Sequence, residues 1–136
     1  MGTVVLDACV ILGLLDQGDV HHKAAAALVT EYTEAGARFD LPATVLAEVL
    51  VSEARRSQPA VDRRHTHLVT MFGPVREIDE KIAVQAAHLR AKHRSLRLPD
   101  ALVIATGIVD EADVILTADK RWAEIDPRIE VLTAGE

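Results

Sequence analysis

Four acidic residues stand alone in apolar parts of this chain, and their carboxylates are the groups that could do chemistry. They are Asp7, Glu48, Asp100 and Asp119. Carboxylate oxygens are the ligands that Mg²⁺ and Mn²⁺ prefer in proteins. If the four acids converge, they can hold one or two such ions. A site of this kind, without Cys or His, is typical of phosphoryl chemistry.

A structural explanation exists for three of these acids. Asp7 and Asp119 follow predicted strands and Asp100 lies in the first turn of a predicted helix, so each can cap a helix or interact with its dipole. Glu48 is different, because it lies in the middle of a predicted helix and is the only charge at positions 41–52. Burying a lone ionised carboxylate is costly. We therefore expect Glu48 to be buried and to share a cation with the other three acids.

Apolar runs and turn residues predict an alternation of strands and helices. The first strand, 3–7, shows no polar alternation, which is typical of a strand buried on both faces of a parallel sheet. Other strands are predicted at 39–41, 75–78, 114–117 and 130–132, and helices at 10–15, 20–35, 44–56, 61–72, from 79 past 88, and from 98. We expect one α/β domain over residues 1–136, with a central parallel sheet flanked by helices.

Composition restricts the class of protein. The apolar fraction is 49% and the charged fraction 26%, as in ordinary globular proteins. No run of about 18 uncharged apolar residues occurs and the N-terminus enters a strand at once, so we expect no membrane association, no signal peptide and a cytoplasmic location. The single cysteine, Cys9, excludes an internal disulfide and a multi-thiolate zinc site. We expect Cys9 to pack as a small apolar side chain, and the adjacent His21 and His22 to pack or face solvent.

A local basic segment stands out against the formal net charge of −6. Positions 90–97 contain no acid and four permanent cations, namely Arg90, Lys92, Arg94 and Arg97. Because the segment ends three residues before Asp100, it could hold an RNA backbone beside a metal site. A solvated helix face is the alternative interpretation, and the sequence leaves both open.

The segments around the four acids resemble the conserved blocks of PIN-domain ribonucleases. These segments read VLDACV from position 5, LAEV from 46, LPDALVIA from 98 and LTAD from 116, and together they span nearly the whole chain. Within this family the chain is similar to the VapC-type toxins. The resemblance implies that Asp7, Glu48, Asp100 and Asp119 bind Mg²⁺ or Mn²⁺ and catalyse RNA hydrolysis, with Thr117 as a supporting hydroxyl. The sequence departs from the family at Cys9, where Ser is frequent.

The resemblance also implies partners. Toxins of this type form homodimers, act on RNA and are silenced by a cognate antitoxin. Two alternatives stay open: a catalytically weak RNA-binding or dimerisation module of the same fold, and a receiver-like phosphoacceptor domain. The receiver-like alternative is disfavoured because the first strand ends in Asp7 alone, without a second acid beside it.

Overall fold

The structure is a computed structural model that describes residues 1–133. Its five strands are parallel and form one sheet. The strands are β1 (Thr3–Leu6), β2 (Arg38–Pro42), β3 (Val75–Arg76), β4 (Val114–Thr117) and β5 (Ile129–Val131). Their order across the sheet is β3-β2-β1-β4-β5. The α/β fold with a central parallel sheet is therefore confirmed, and all five predicted strands are present within one or two residues of their expected positions.

Helices connect the strands and flank the sheet. They are α1 (Ala8–Leu15), α2 (His22–Glu34), α3 (Ala43–Ala54), α4 (Gln58–Phe72), α5 (Glu80–Lys92) and α6 (Leu98–Val109), with a 3₁₀ turn at Lys120–Trp122. Three starts differ by two or more residues from the sequence prediction. Helix α1 begins two residues early because the Asp7 side chain accepts a hydrogen bond from the Ala8 amide. Helix α4 begins three residues early because the Ser57 side chain accepts a hydrogen bond from the Ala60 amide. Helix α2 begins two residues late because Asp19 caps a turn at the His21 amide instead.

The strand order places a crevice between β1 and β4. The chain runs from β1 outward through β2 and β3, and then returns to the other side of β1 to form β4. In open parallel sheets, ligands bind outside the carboxyl ends of the two strands where the order reverses. Asp7 follows β1 and Asp119 lies two residues after β4, so two of the four candidate acids lie at this crevice.

The same strand order disfavours the receiver-like alternative. Receiver-type sheets have the order 2-1-3-4-5, with the first strand next to the edge. In this protein β1 is the central strand, between β2 and β4. The sheet is therefore not of the receiver type.

The core lies on both sides of β1 and extends over β4 and α6. Val4, Val5 and Leu6 are fully buried, which confirms the two-sided burial expected of the first strand. The single tryptophan, Trp122, is also buried and fills the core below the 3₁₀ turn. None of the helices within residues 1–133 is long and apolar enough to cross a membrane.

Helix α6 packs closely against the sheet at Gly107. A methyl group at this position would overlap with Cγ1 and Cδ1 of Ile115 in β4 and would also contact Val5 in β1. The absence of a side chain therefore lets the helix pack against the strand that carries Asp119 at its end.

Replacing Gly107 should lower stability. We expect Gly107→Ala to reduce the free energy of unfolding by about 1–3 kcal/mol, because the added methyl overpacks a buried contact. Urea denaturation measures this change. The matched test is Ile115→Ala, which removes the clashing atoms: Gly107→Ala should cost less in that background than in the wild type. Equal costs in both backgrounds would contradict a clash with Ile115.

Candidate active site

A cleft of about 310 Å³ contains all four candidate acids. It is lined by Asp7, Ala8, Cys9, His21, Glu48, Arg97, Asp100, Ala118 and Asp119. Four different elements supply the acids: the ends of β1 and β4, the middle of α3 and the first turn of α6. The fold thus brings together side chains that are separated by up to 112 positions in the sequence.

Asp7 is held in place by the pairing of β1 with β4. The register sets Leu6 opposite Leu116, and the Asp7 amide donates to the Leu116 carbonyl at 3.0 Å. The next residue of β4, Thr117, therefore faces Asp7, and its hydroxyl donates to Asp7 Oδ2 at 2.7 Å. Asp7 Oδ1 accepts from the Ala8 amide at 2.8 Å, so this carboxylate also caps α1. Capping and site placement coexist in one residue.

Burial makes the Asp7 carboxylate harder to ionise. Desolvation raises its pKa, and the nearby charge of Asp100 raises it further. Hydrogen bonds from Thr117, Cys9 and Ala8 act in the opposite direction, because they stabilise the ionised form. The hydroxyl of Thr117 also accepts from the Asp119 amide at 3.0 Å. Thr117 thus links two of the four acids.

Cys9 takes part in the same hydrogen-bond network. Its Sγ donates to Asp7 Oδ2 at 3.1 Å and accepts from the Ala118 amide at 3.2 Å. The expectation of a purely apolar packing role was therefore incomplete, and the thiol makes the supporting bond to the acid. Burial and then the charge of Asp7 raise the pKa of the Cys9 thiol to about 12. The sulfur is consequently protonated at neutral pH and is not a thiolate ligand.

Glu48 is more exposed than the sequence analysis predicts. Glu48 is exposed, because its face of α3 opens into the cleft and not into the core. Its pKa is nevertheless raised, first by partial desolvation and then by the charges of Asp7 and Asp100. The predicted burial of Glu48 is wrong, but the charges of the other acids do act on its carboxylate.

Two arginines accompany the remaining acids. Arg97 donates from Nε and Nη2 to the two carboxylate oxygens of Asp100 at 3.2 and 3.3 Å. Arg121 donates in the same forked way to Asp119, at 3.0 Å from Nε and 2.8 Å from Nη2. The hydrogen bonds from Arg121, and to a smaller extent the charge of Arg97, lower the pKa of Asp119. Arg121 was missed in the sequence analysis, although a cation two residues after an acid that ends a strand is a visible signal.

The other cations of the basic segment lie outside the residues that line the cleft. Arg90 donates to the Leu96 carbonyl at 2.6 Å and so stabilises the loop between α5 and α6. Lys92 and Arg94 are exposed and form no ion pair within residues 1–133. His21, expected to pack or face solvent, lines the cleft.

The donor set fits a hard divalent cation, although the side chains are not arranged around one. Four carboxylates and a hydroxyl, without a thiolate, are the ligands expected for Mg²⁺ or Mn²⁺. Within the described residues no three His, Cys, Asp or Glu side chains are grouped as metal ligands. The hydrogen bonds account for this arrangement, because Asp7 is bonded to Thr117, Asp100 to Arg97 and Asp119 to Arg121.

The strand order and the crevice at the β1–β4 reversal place this protein among the open, doubly wound α/β folds, which bind ligands at such a crevice. Residues 4–127 match the PIN domain family, and the chain belongs to that family. No curated protein matches the sequence.

Solved structures of toxin–antitoxin proteins have a similar fold. A toxin–antitoxin complex from Klebsiella pneumoniae has 21% identity and a TM-score of 0.68, over 94% of this chain and 96% of that one. VapBC2 from Rickettsia felis, bound to a promoter DNA fragment, has 12% identity and a TM-score of 0.74, over 96% and 99%. VapC20 from Mycobacterium tuberculosis, a sarcin-ricin loop cleaving toxin, has 16% identity and a TM-score of 0.66, over 82% and 86%. These similarities establish the fold.

Removing the Thr117 hydroxyl should destabilise the protein. We expect Thr117→Val to lower the free energy of unfolding by about 1–3 kcal/mol, because the Asp119 amide and one Asp7 oxygen lose a buried partner. Thermal or urea denaturation measures the loss. Thr117→Ser is the matched control, because it keeps the hydroxyl and removes only a methyl group. A valine variant as stable as the wild type would show that the hydroxyl contributes nothing.

Proposed function

We propose that this protein is a divalent-metal-dependent endoribonuclease and the toxin of a toxin–antitoxin pair. One observation carries the proposal: a PIN-domain chain brings Asp7, Glu48, Asp100 and Asp119 into one cleft at the reversal of its sheet. The related folds support it, since one of those proteins is described as a toxin that cleaves the sarcin-ricin loop.

In this proposal the four acids hold Mg²⁺ or Mn²⁺. When bound, such an ion activates water and neutralises charge on the phosphate. Asp7 is positioned for ligation by the Thr117 hydroxyl and the Ala8 amide, which fix both of its oxygens. Glu48 reaches the cleft from α3 without a fixed hydrogen-bond partner of its own among the described side chains, so it can reorient.

The proposed reaction is hydrolysis of an RNA phosphodiester. Water adds to phosphorus, the bond from phosphorus to the 3′ oxygen breaks, and the leaving oxygen takes up a proton. The products are a 5′-phosphate and a 3′-hydroxyl. No side chain of the cleft need act as the nucleophile.

Glu48 offers the clearest test of this activity, because it is exposed and makes no structural hydrogen bond in the described region. We expect Glu48→Gln to lower the rate of RNA cleavage by about a hundredfold or more, since a ligand charge is lost. Its melting temperature should change little or rise, because repulsion from Asp7 and Asp100 is relieved. The assay uses single-stranded RNA with and without Mn²⁺, followed by analysis of the RNA ends.

Glu80→Gln is the control for this experiment, because Glu80 is also exposed and helical but lies at the start of α5. It should cleave at the wild-type rate. A wild-type protein that binds RNA but cleaves none with Mn²⁺ would favour the catalytically weak binding module. Cleavage by Glu48→Gln at the wild-type rate would remove Glu48 from the site.

We also propose that the exposed cations at the C-terminal end of α5 and in the loop that follows it contact the RNA backbone. Lys92 and Arg94 support this proposal best, because they are exposed and unpaired within residues 1–133. Arg90 supports it less well, since its guanidinium is used by the Leu96 carbonyl. Arg97 belongs to the cleft itself.

Neutralising these cations should weaken RNA binding in a salt-dependent way. We expect Lys92→Gln/Arg94→Gln to reduce affinity similarly for all single-stranded RNAs, and to reduce the slope of log affinity against log salt by roughly 1.4. Fluorescence anisotropy at several salt concentrations measures both quantities. The control, Arg38→Gln/Lys81→Gln, removes the same charge at the start of β2 and of α5. If the two double variants have identical salt slopes, Lys92 and Arg94 do not contact RNA and belong to a solvated helix face.

The proposal includes protein partners and a location. Two of the related folds were solved as toxin–antitoxin or VapBC assemblies, and we propose that a cognate antitoxin covers the acidic cleft of this protein. A homodimer is proposed from the resemblance to VapC-type toxins. Because its substrate is cellular RNA, we place the protein in the cytoplasm.

A further inference from the structure

Arg97 and Arg121 are bound to the acidic cleft more specifically than ordinary surface cations. Each makes a two-pronged contact with one carboxylate, Arg97 with Asp100 and Arg121 with Asp119. Two-pronged guanidinium–carboxylate pairs are geometrically selective and are stronger than single contacts. The pairs therefore occupy both oxygens of two of the four candidate ligands.

The arginine is the mobile partner in each pair. The Arg97 side chain is 67% exposed and that of Arg121 is 80% exposed, whereas Asp100 and Asp119 are 10% and 22% exposed. Little protein surrounds either guanidinium, so both can swing into solvent while the acids stay in place. Loss of the pair would move the arginine and not the carboxylate.

The two arginines act on the same electrostatic unit. The charge of Arg97 lowers the pKa of Asp119 and partly offsets the rise in the pKa of Glu48, in addition to its pairing with Asp100. The charge of Asp100 stabilises the charged form of Arg121, and the charge of Arg121 disfavours that of Arg97. Both guanidinium groups therefore lie beside one cleft, where each one repels any further cation that enters.

We infer that Arg97 and Arg121 are phosphate-binding residues of the nuclease site, which Asp100 and Asp119 hold until a divalent cation takes those carboxylates. This inference rests on the proposed function. A carboxylate that ligates a cation has less charge to offer to a guanidinium, so cation binding releases both arginines at the edge of the cleft. The planar fork of arginine matches phosphate as well as it matches carboxylate. The arginines are then free to hold the RNA backbone beside the bound ion.

The inference requires opposite effects on two kinds of ligand. Without nucleic acid, the arginines compete with the cation for carboxylate oxygens. With the cation bound, they add affinity for phosphates. Cation binding and nucleic-acid binding are therefore coupled through these two side chains, and the coupling is reciprocal.

The test compares Arg97→Gln, Arg121→Gln and the double variant with wild type. Isothermal titration calorimetry gives the Mn²⁺ affinity, and anisotropy gives the affinity for a labelled single-stranded oligodeoxynucleotide, with and without Mn²⁺. The oligodeoxynucleotide presents the same phosphates as RNA but lacks the 2′-hydroxyl groups. Lys81→Gln and Lys120→Gln are the controls, because each removes one exposed charge that makes no ion pair within residues 1–133.

The double variant should bind Mn²⁺ about fivefold more tightly than wild type, and each single variant by a smaller factor. Its oligonucleotide affinity should fall about fivefold or more when Mn²⁺ is present, and by less than about twofold when it is not. The controls should leave Mn²⁺ affinity unchanged within about twofold. The loss of nucleic-acid affinity only in the presence of Mn²⁺ is the signature that a merely structural ion pair does not give.

Three results would overturn the inference. One is weaker or unchanged Mn²⁺ binding in the double variant, and another is an equal loss of oligonucleotide affinity with and without Mn²⁺. The third is a double variant that binds the oligonucleotide with Mn²⁺ as tightly as wild type. If wild type itself binds no Mn²⁺, the proposed function fails as well. If wild type binds Mn²⁺ and cleaves RNA, but the arginine variants bind Mn²⁺ and the oligonucleotide as wild type does, the proposed function stands. Only the roles of Arg97 and Arg121 are then removed.

Discussion

Mutual repulsion among the carboxylates of Asp7, Glu48 and Asp100 is the constraint on which the site depends. Asp100 raises the pKa of Asp7, and both of them raise the pKa of Glu48. A folded chain must offset this repulsion before any cation arrives. It does so in three ways: hydrogen bonds to Asp7, ion pairs to Asp100 and Asp119, and exposure to water for Glu48.

The pairing of strands in the sheet explains how the electrostatic repulsion on Asp7 is offset. Because β1 is the central strand and its end pairs with β4, the Asp7 carboxylate faces the hydroxyl of Thr117 across the ladder. The same register places the sulfur of Cys9 near both residues. A buried acid is thereby surrounded by donors that favour its charged form, and the close packing of Gly107 against Ile115 keeps the strand in position.

The ion pairs have a different character, since they are supplied by exposed and flexible side chains. Arg97 and Asp100 are three residues apart at the start of α6, and Arg121 and Asp119 are two apart at the 3₁₀ turn. Both pairs are local in sequence and can form or separate without movement of the backbone. The protein therefore combines a rigid acid, Asp7, with two acids whose counter-ions can be exchanged.

Local sequence was sufficient for the parallel sheet, the five strands and the four lone acids, because apolar periodicity and isolated charges are properties of short segments. The starts of α2 and α4 depend on single capping hydrogen bonds to Asp19 and Ser57, which the periodicity of apolar residues does not reveal. Tertiary structure alone decided that β4 pairs with β1, that Glu48 opens into a cleft and that Thr117 bridges Asp7 and Asp119. The reason is that strand order and the direction of a helix face depend on contacts between residues far apart in the chain, and no local pattern encodes them.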